Sequence, residues 1–247
     1  MLMFASGHFK VDTTCMAYGR FDVKQKLLEL TPDQVSEYSF DAAKHYTNDY
    51  EYHNWNHALA VVSGTEIISG KLEARGLTIA KGALAVAAAW HDAGYHQDHV
   101  SKGFETKEAY SAALLEEYLS NKHIGEFEKS IMLSSINATW AQYPDPRTPH
   151  ELIMHRADIA NIGGPTDEFI DNSLKLWAET QHISGKKISW QKYVDGATEF
   201  IRLTYAEHDS ESLENFIDPS DTTVDVNNIP FREQALRNIA ALKELDV

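Results

Sequence analysis

Two stretches of this chain spell out helix beginnings in full. Thr31-Pro32-Asp33-Gln34 and Thr148-Pro149-His150-Glu151 each set a threonine before a proline, with Gln or Glu three residues on. A threonine hydroxyl accepts from the third backbone N–H while the Gln or Glu reaches back, and proline suits the first helical position. The chain commits to helix at two distant points and nowhere offers a run of alternating strand residues. It is therefore expected to be an all-α bundle.

Residues 1–22 carry no clear period and are read as an irregular arm before one helical domain over residues 23–247. The first capped helix should run toward Asn48. Asn54 to Arg75 follows, with Leu59, Val62 and Ile67 at helical spacing and Gly76 as its stop. Thr78 can cap a third helix carrying Ile79, Ala83, Val86 and Trp90, whose alanine-rich run suits a central position. Thr106 to Asn121 and Glu126 to Trp140 are further helices, followed by a loop over Tyr143 to Thr148. The helix opened by Thr148 is expected to end near Gly163-Gly164. Beyond Pro165, amphipathic segments centre on Phe169 to Trp177, Trp190 to Tyr205 and Phe231 to Leu245. An acidic loop over Glu207 to Asn228 separates the last two. Trp90, Trp140, Trp177 and Trp190 read as core.

Charge narrows the partners. Lys and Arg total 22 against 37 Asp and Glu, a formal charge of −15 that repels nucleic-acid backbones and anionic membranes. A small phosphorylated substrate stays compatible with it, because a divalent ion reverses the potential locally. Cys15 stands alone, so neither an intrachain disulfide nor a thiolate metal cluster can form, and it reads as a packing residue. With no apolar run near the roughly 18 residues of a membrane span, and no secretory pattern, the expected location is cytoplasmic.

Three polar insertions in apolar surroundings carry the chemistry. His53 and His57 lie four residues apart at a helix start and face one direction. His91-Asp92 follows the apolar run Ala87-Ala88-Ala89-Trp90. Asp158 closes His155-Arg156-Ala157-Asp158, set among Ile153, Ile159 and Ile162. A buried carboxylate is costly unless a cation or strong hydrogen bonds compensate it. Convergence of these groups on a shared metal would do so, and two imidazoles with two carboxylates suit Zn, Fe, Mn or Co.

The motif Tyr52-His53-Asn54-X-X-His57-Ala58, the His91-Asp92 doublet and Ala157-Asp158 together resemble the HD superfamily of metal-dependent phosphohydrolases. The first motif and His155-Arg156-Ala157-Asp158 are similar to cyclic-nucleotide phosphodiesterases. His91-Asp92-Ala93-Gly94-Tyr95, Glu108-Ala109-Tyr110-Ser111 and Ala138-Thr139 are closer to small bacterial HD proteins. The resemblance spans about residues 52–164, leaving 165–247 as a C-terminal helical extension. It implies that His57, His91, Asp92 and Asp158 hold one or two divalent ions (Mn, Fe, Zn, Co or Mg), with Asp92 bridging to a second. It further implies that His53 protonates the leaving oxygen, a role suited to an imidazole because it ordinarily titrates near neutrality. Glu108 is either a partner that orients a ligand or water, or an exposed helix glutamate.

The expected reaction is hydrolysis of a phosphate ester, a nucleotide among the substrates considered, by water acidified at the metal. Monoester and cyclic diester both fit. A di-iron oxygenase of HD type is a second reading and would need further histidine ligands from His96, His99, His123, His150 or His155. A silent nucleotide-binding module is a third. Lys102, Lys107, Arg147 and Arg156 could meet phosphate or simply be solvated. The C-terminal helices serve a homodimer or cover the site.

Overall fold

The computed structural model describes residues 30–140, 148–202, 231–245 and 247, and among them every regular element is helical. Among the described residues nine α-helices run as α1 (Pro32–Ala42), α2 (Trp55–Ala74), α3 (Lys81–Trp90), α4 (Lys107–Leu119), α5 (Glu126–Asn137), α6 (Pro149–Asp158), α7 (Thr166–Ser184), α8 (Trp190–Arg202) and α9 (Phe231–Lys243). The N-terminal arm, Cys15, the 143–147 loop with Arg147, and the acidic 207–228 stretch lie outside the described residues.

Both capping boxes form. Thr31 and Thr148 each accept from the backbone three residues on, at 3.2 Å, and Gln34 and Glu151 return the bond. The first helix stops at Ala42, short of Asn48, and passes into a 3-10 turn over Ala43–His45. The α6 helix likewise ends at Asp158, five residues before Gly163. Ile159 leaves helical geometry at ψ 7°, and a 3-10 turn over Ala160–Gly163 replaces the last α-turn. Thr78 does not cap α3. The helix opens at Lys81 after Ala80, and the Ala80 N–H donates to Nε2 of His150 at 3.0 Å.

Helix α3 is the axis of the N-terminal half. Seven of its ten residues are buried: Ala83, Leu84, Val86, Ala87, Ala88, Ala89 and Trp90. Its small side chains let neighbouring backbones approach from several sides. One core gathers Trp90, Leu115, Met132 and Ile136 between α1, α3, α4 and α5. A second gathers Val61, Leu84, Ile153 and Met154 between α2, α3 and α6. Each fully buried aliphatic side chain of this size contributes ~1.5–3 kcal/mol.

The buried face of α2 matches the expected one only in part. Val62 is half-buried and packs against both N-terminal cores, and Ala58, Val61, Thr65, Ile68 and Leu72 point inward, whereas Leu59 and Ile67 are 47% and 52% exposed. The space between α2 and α6 is narrow near Ala58, Val61 and Thr65. Gly64 shows the constraint, because a Cβ there would lie 3.2 Å from the Ala157 Cβ.

The third core belongs to the C-terminal extension, where Phe169, Trp190, Val194, Phe231 and Leu242 pack together. Trp90 and Trp190 are buried as expected, while Trp140 and Trp177 are half-buried. The extension is tied to the turn beyond Asp158 by Asn238, fully buried on α9. Its Nδ2 donates to the carbonyls of Ile162 and Gly164, both at 2.9 Å. These bonds hold the 3-10 turn beyond Asp158 against α9.

Candidate metal centre

Three helices deliver their polar groups to one point. Asn54 caps α2, its side chain accepting from Asn56 N at 2.9 Å and His57 N at 3.4 Å, so His57 rides in the first turn. His91-Asp92 sits where α3 ends. The Tyr46 hydroxyl pins that end, donating to the Ala89 carbonyl at 2.9 Å and accepting from Asp92 N at 3.3 Å. Asp158 is the last residue of α6. Each side chain thus leaves a helix end, where the backbone has stopped bonding to itself and the chain can bring charge into a core.

The donors are spaced as a shared ion requires. Nε2 of His91 lies 3.3 Å from Nε2 of His57, 3.3 Å from Oδ1 of Asp158 and 3.0 Å from Oδ2 of Asp92. Nε2 of His57 lies 3.2 Å from Asp158 Oδ1 and 3.6 Å from Asp92 Oδ2. An ion about 2.1 Å from each donor separates neighbouring donors by roughly 3.0 Å in octahedral or 3.4 Å in tetrahedral geometry. Among the described residues, His57, His91 and Asp158 form the group whose donor atoms all fall within 4.8 Å of one another. Asp92 adjoins it through His91.

The tautomer of His91 sharpens the fit. Its Nδ1 lies 2.8 Å from the Ala88 carbonyl, a partner that can only accept, so Nδ1 carries hydrogen and donates. In the neutral ring Nε2 then presents a lone pair toward two carboxylate oxygens and a second imidazole. Such a set repels itself unless a cation sits at its centre, either a proton on Nε2 or a metal ion. The titration behaviour expresses the same field. Burial disfavours the imidazolium of His91, but the charges of Asp92 and Asp158 outweigh it and hold the pKa well above 6.5. Burial likewise pushes Asp92 and Asp158 up, yet the surrounding imidazoles more than reverse this and hold both carboxyls below the usual range.

His53 stands beside this group, its ring centroid 5.7 Å from that of His57 and stacked on Tyr95 at 3.6 Å. It is held by a residue that sequence reading missed. Glu179, buried on α7, accepts from the backbone N–H of His53 at 2.9 Å and of Tyr52 at 3.1 Å, and its other oxygen pairs with Nδ1 of His53. Burial raises the Glu179 carboxyl, but these bonds from His53 and Tyr52 prevail and bring it below its ordinary value. The sequence signal was slight, an acid on the α7 face that also carries Asn172 and Leu176.

Other expected residues fall differently. Glu108 is half-buried in the first turn of α4, and among the described residues no hydrogen bond joins it to the cluster. Its neighbour Lys107 reaches further in, with Nζ 3.5 Å above the Tyr95 ring. Burial lowers the Lys107 pKa, opposed by the charges of Asp92, Glu108, Glu179 and Asp158. Arg156 lies over the Phe231 ring at 3.2 Å and Lys102 is exposed near Tyr110. Of the five additional histidines, His150 and His155 bond to backbone at Ala80 and Ala138, His96 packs near Tyr50, His99 is half-buried and His123 is exposed. Among the described residues none of the five joins the metal-spaced group.

No family model matches the sequence, and no curated protein matches it. Among the described residues no helix is long and apolar enough to cross a membrane.

Proposed function

We propose that this chain is a metal-dependent phosphohydrolase of the HD type, acting on a small phosphate ester. The observation that carries the reading is the convergence of His57, His91 and Asp158, with Asp92 adjoining, around a point that demands a cation. The order and wording of the motifs resemble the HD superfamily, and the all-helical architecture agrees with it.

His57, His91, Asp92 and Asp158 would hold a divalent ion, with Mn, Fe, Zn, Co and Mg all compatible with nitrogen and oxygen donors. When bound, such an ion acidifies a coordinated water and polarises a phosphoryl oxygen. The protein's own groups do the rest. Tyr46 and the Ala88 carbonyl fix the doublet's position, so little reorganisation accompanies reaction. Glu179 takes the Nδ1 hydrogen of His53, which turns Nε2 away from Glu179. Protonated at Nε2, His53 can give that proton to the alcohol oxygen as a water oxygen bonds to phosphorus and the ester P–O bond breaks, leaving alcohol and phosphate. Lys107 supplies positive charge for the phosphoryl oxygens, in a chain whose net charge is otherwise strongly negative.

Phosphate release from a panel of mono- and diesters, assayed with each metal, tests the proposal. Turnover should require added metal and fall to background in Asp92→Ala. Full activity in that variant overturns it.

A further inference from the structure

A cavity of about 470 Å³ opens directly beside the centre, counting His53 and Asp158 among its walls. Spaces of roughly 300–1,000 Å³ enclose most of a small organic ligand. Its other walls come from Tyr52, from the turn beyond Asp158 and, chiefly, from the inward faces of α7 and α8. Ile162, Phe169, Leu176, Tyr193, Phe200 and Ile201 make them predominantly carbon. The amides near the centre are occupied with each other, since Asn172 Nδ2 donates to Asn161 Oδ1 at 2.9 Å. Lys192 is the lining cation among the described residues, and it is exposed.

We infer that this cavity binds the alcohol portion of the substrate, and that this portion is apolar: an alkyl, prenyl or aryl group. The inference rests on the phosphohydrolase reading for its orientation, with phosphate at the histidine-aspartate cluster and the organic group between α7 and α8. A polyphosphate tail would find one lysine among these walls, the exposed Lys192, and the polar side chains that a ribose would need, Asn161, Asn172 and Thr180, already bond within the protein. The C-terminal helices therefore select the substrate while the N-terminal helices hold the metal ligands.

Gly196 on α8 offers a clean way to close the space. It lines the cavity at its exposed rim, and a Cβ built on it meets nothing within 4 Å, so a larger side chain can be placed at the mouth without displacing a neighbour. The experiment has two arms on wild type and Gly196→Leu. The first measures kcat/KM for alkyl phosphates from ethyl to octyl, alongside nucleoside monophosphates. The second measures the melting temperature with octylphosphonate, with and without metal, and needs no turnover.

Wild type should gain about fourfold in kcat/KM per added methylene, the ~0.8 kcal/mol of a buried methylene, and be stabilised by octylphosphonate. Gly196→Leu should lose most of that dependence and the melting shift. Turnover without chain-length preference, or with nucleotides preferred over octyl phosphate, overturns the inference and leaves the hydrolase reading standing. Octylphosphonate binding without turnover of any ester supports the cavity and removes the hydrolase reading. Neither binding nor turnover removes both.

Discussion

Glu179 and His53 lie 126 residues apart in sequence and meet through two contacts, one to the backbone N–H at 2.9 Å and one to the ring Nδ1. The double contact fixes both where the imidazole sits and which nitrogen carries hydrogen. Glu179→Gln should keep the fold and metal content but lose control of that tautomer. A fall of about 10- to 100-fold in kcat with KM little changed is expected, by analogy with losses of ligand-orienting carboxylates. The loss should be greatest for esters of weakly acidic alcohols and least for nitrophenyl esters, whose leaving oxygen needs no proton. Equal losses across leaving groups would remove His53 from the acid role.

The cluster should make stability depend on pH in opposite senses with and without metal. In the metal-free protein the raised pKa of His91 contributes stability that is complete below 6.5 and is lost as pH rises through the folded value. The lowered pKa values of Asp92 and Asp158 contribute stability present above 3.8 and lost as pH falls through theirs. The chelated protein should therefore melt higher near pH 5.5 than near pH 8 through this cluster. Metal competes with the proton on Nε2, so the stabilisation it adds should grow over the same interval. Melting curves with chelator and with added metal check this, and parallel profiles would contradict it.

Gly94 sets the distance between the His91-Asp92 doublet and α4. A Cβ there would fall 2.6 Å from Cδ1 of Tyr110 and 3.2 Å from both N and Oγ of Ser111, whose hydroxyl accepts from Gly94 N. Tyr110 cannot swing aside freely, because it is buried and its hydroxyl donates to Gln97 at 2.8 Å. Gly94→Ala should cost about 1–3 kcal/mol by denaturant titration. Metal affinity should weaken alongside, since the doublet has to move. An unchanged midpoint would show that α4 yields at no cost.

The convergence of His57, His91 and Asp158, with Asp92 beside them, was legible because each sits in a short, locally unusual context, a polar residue at the edge of an apolar run. The capping boxes at Thr31 and Thr148 were legible for the same reason, being local hydrogen-bond patterns. The inward face of α2 was not. Leu59 and Ile67 suggest it by size, yet both face outward, and near the close approach of Gly64 to Ala157 the inner positions go to the smaller Ala58, Val61 and Thr65 while Ile68 and Leu72 take those further along. The end of α6 falls earlier than Gly163-Gly164 suggests, and the 3-10 turn that follows it is held by a tertiary contact: Asn238, on the last helix, donates to the carbonyls of Ile162 and Gly164. Glu179 escaped notice on similar grounds. Its role exists only once α7 lies against the loop before α2, and nothing in its own helix announces that neighbour. The apolar cavity depends on the same packing.

The central claim is that one cation sits between four side chains drawn from α2, the end of α3 and the end of α6. Anomalous diffraction from crystals grown with manganese, iron or zinc measures this directly. A single strong peak is expected about 2.1 Å from Nε2 of His57, Nε2 of His91 and Oδ1 of Asp158, with Asp92 Oδ2 at comparable distance. Fully loaded conditions that leave this point without a peak, while His91 keeps a proton on Nε2, would contradict the account.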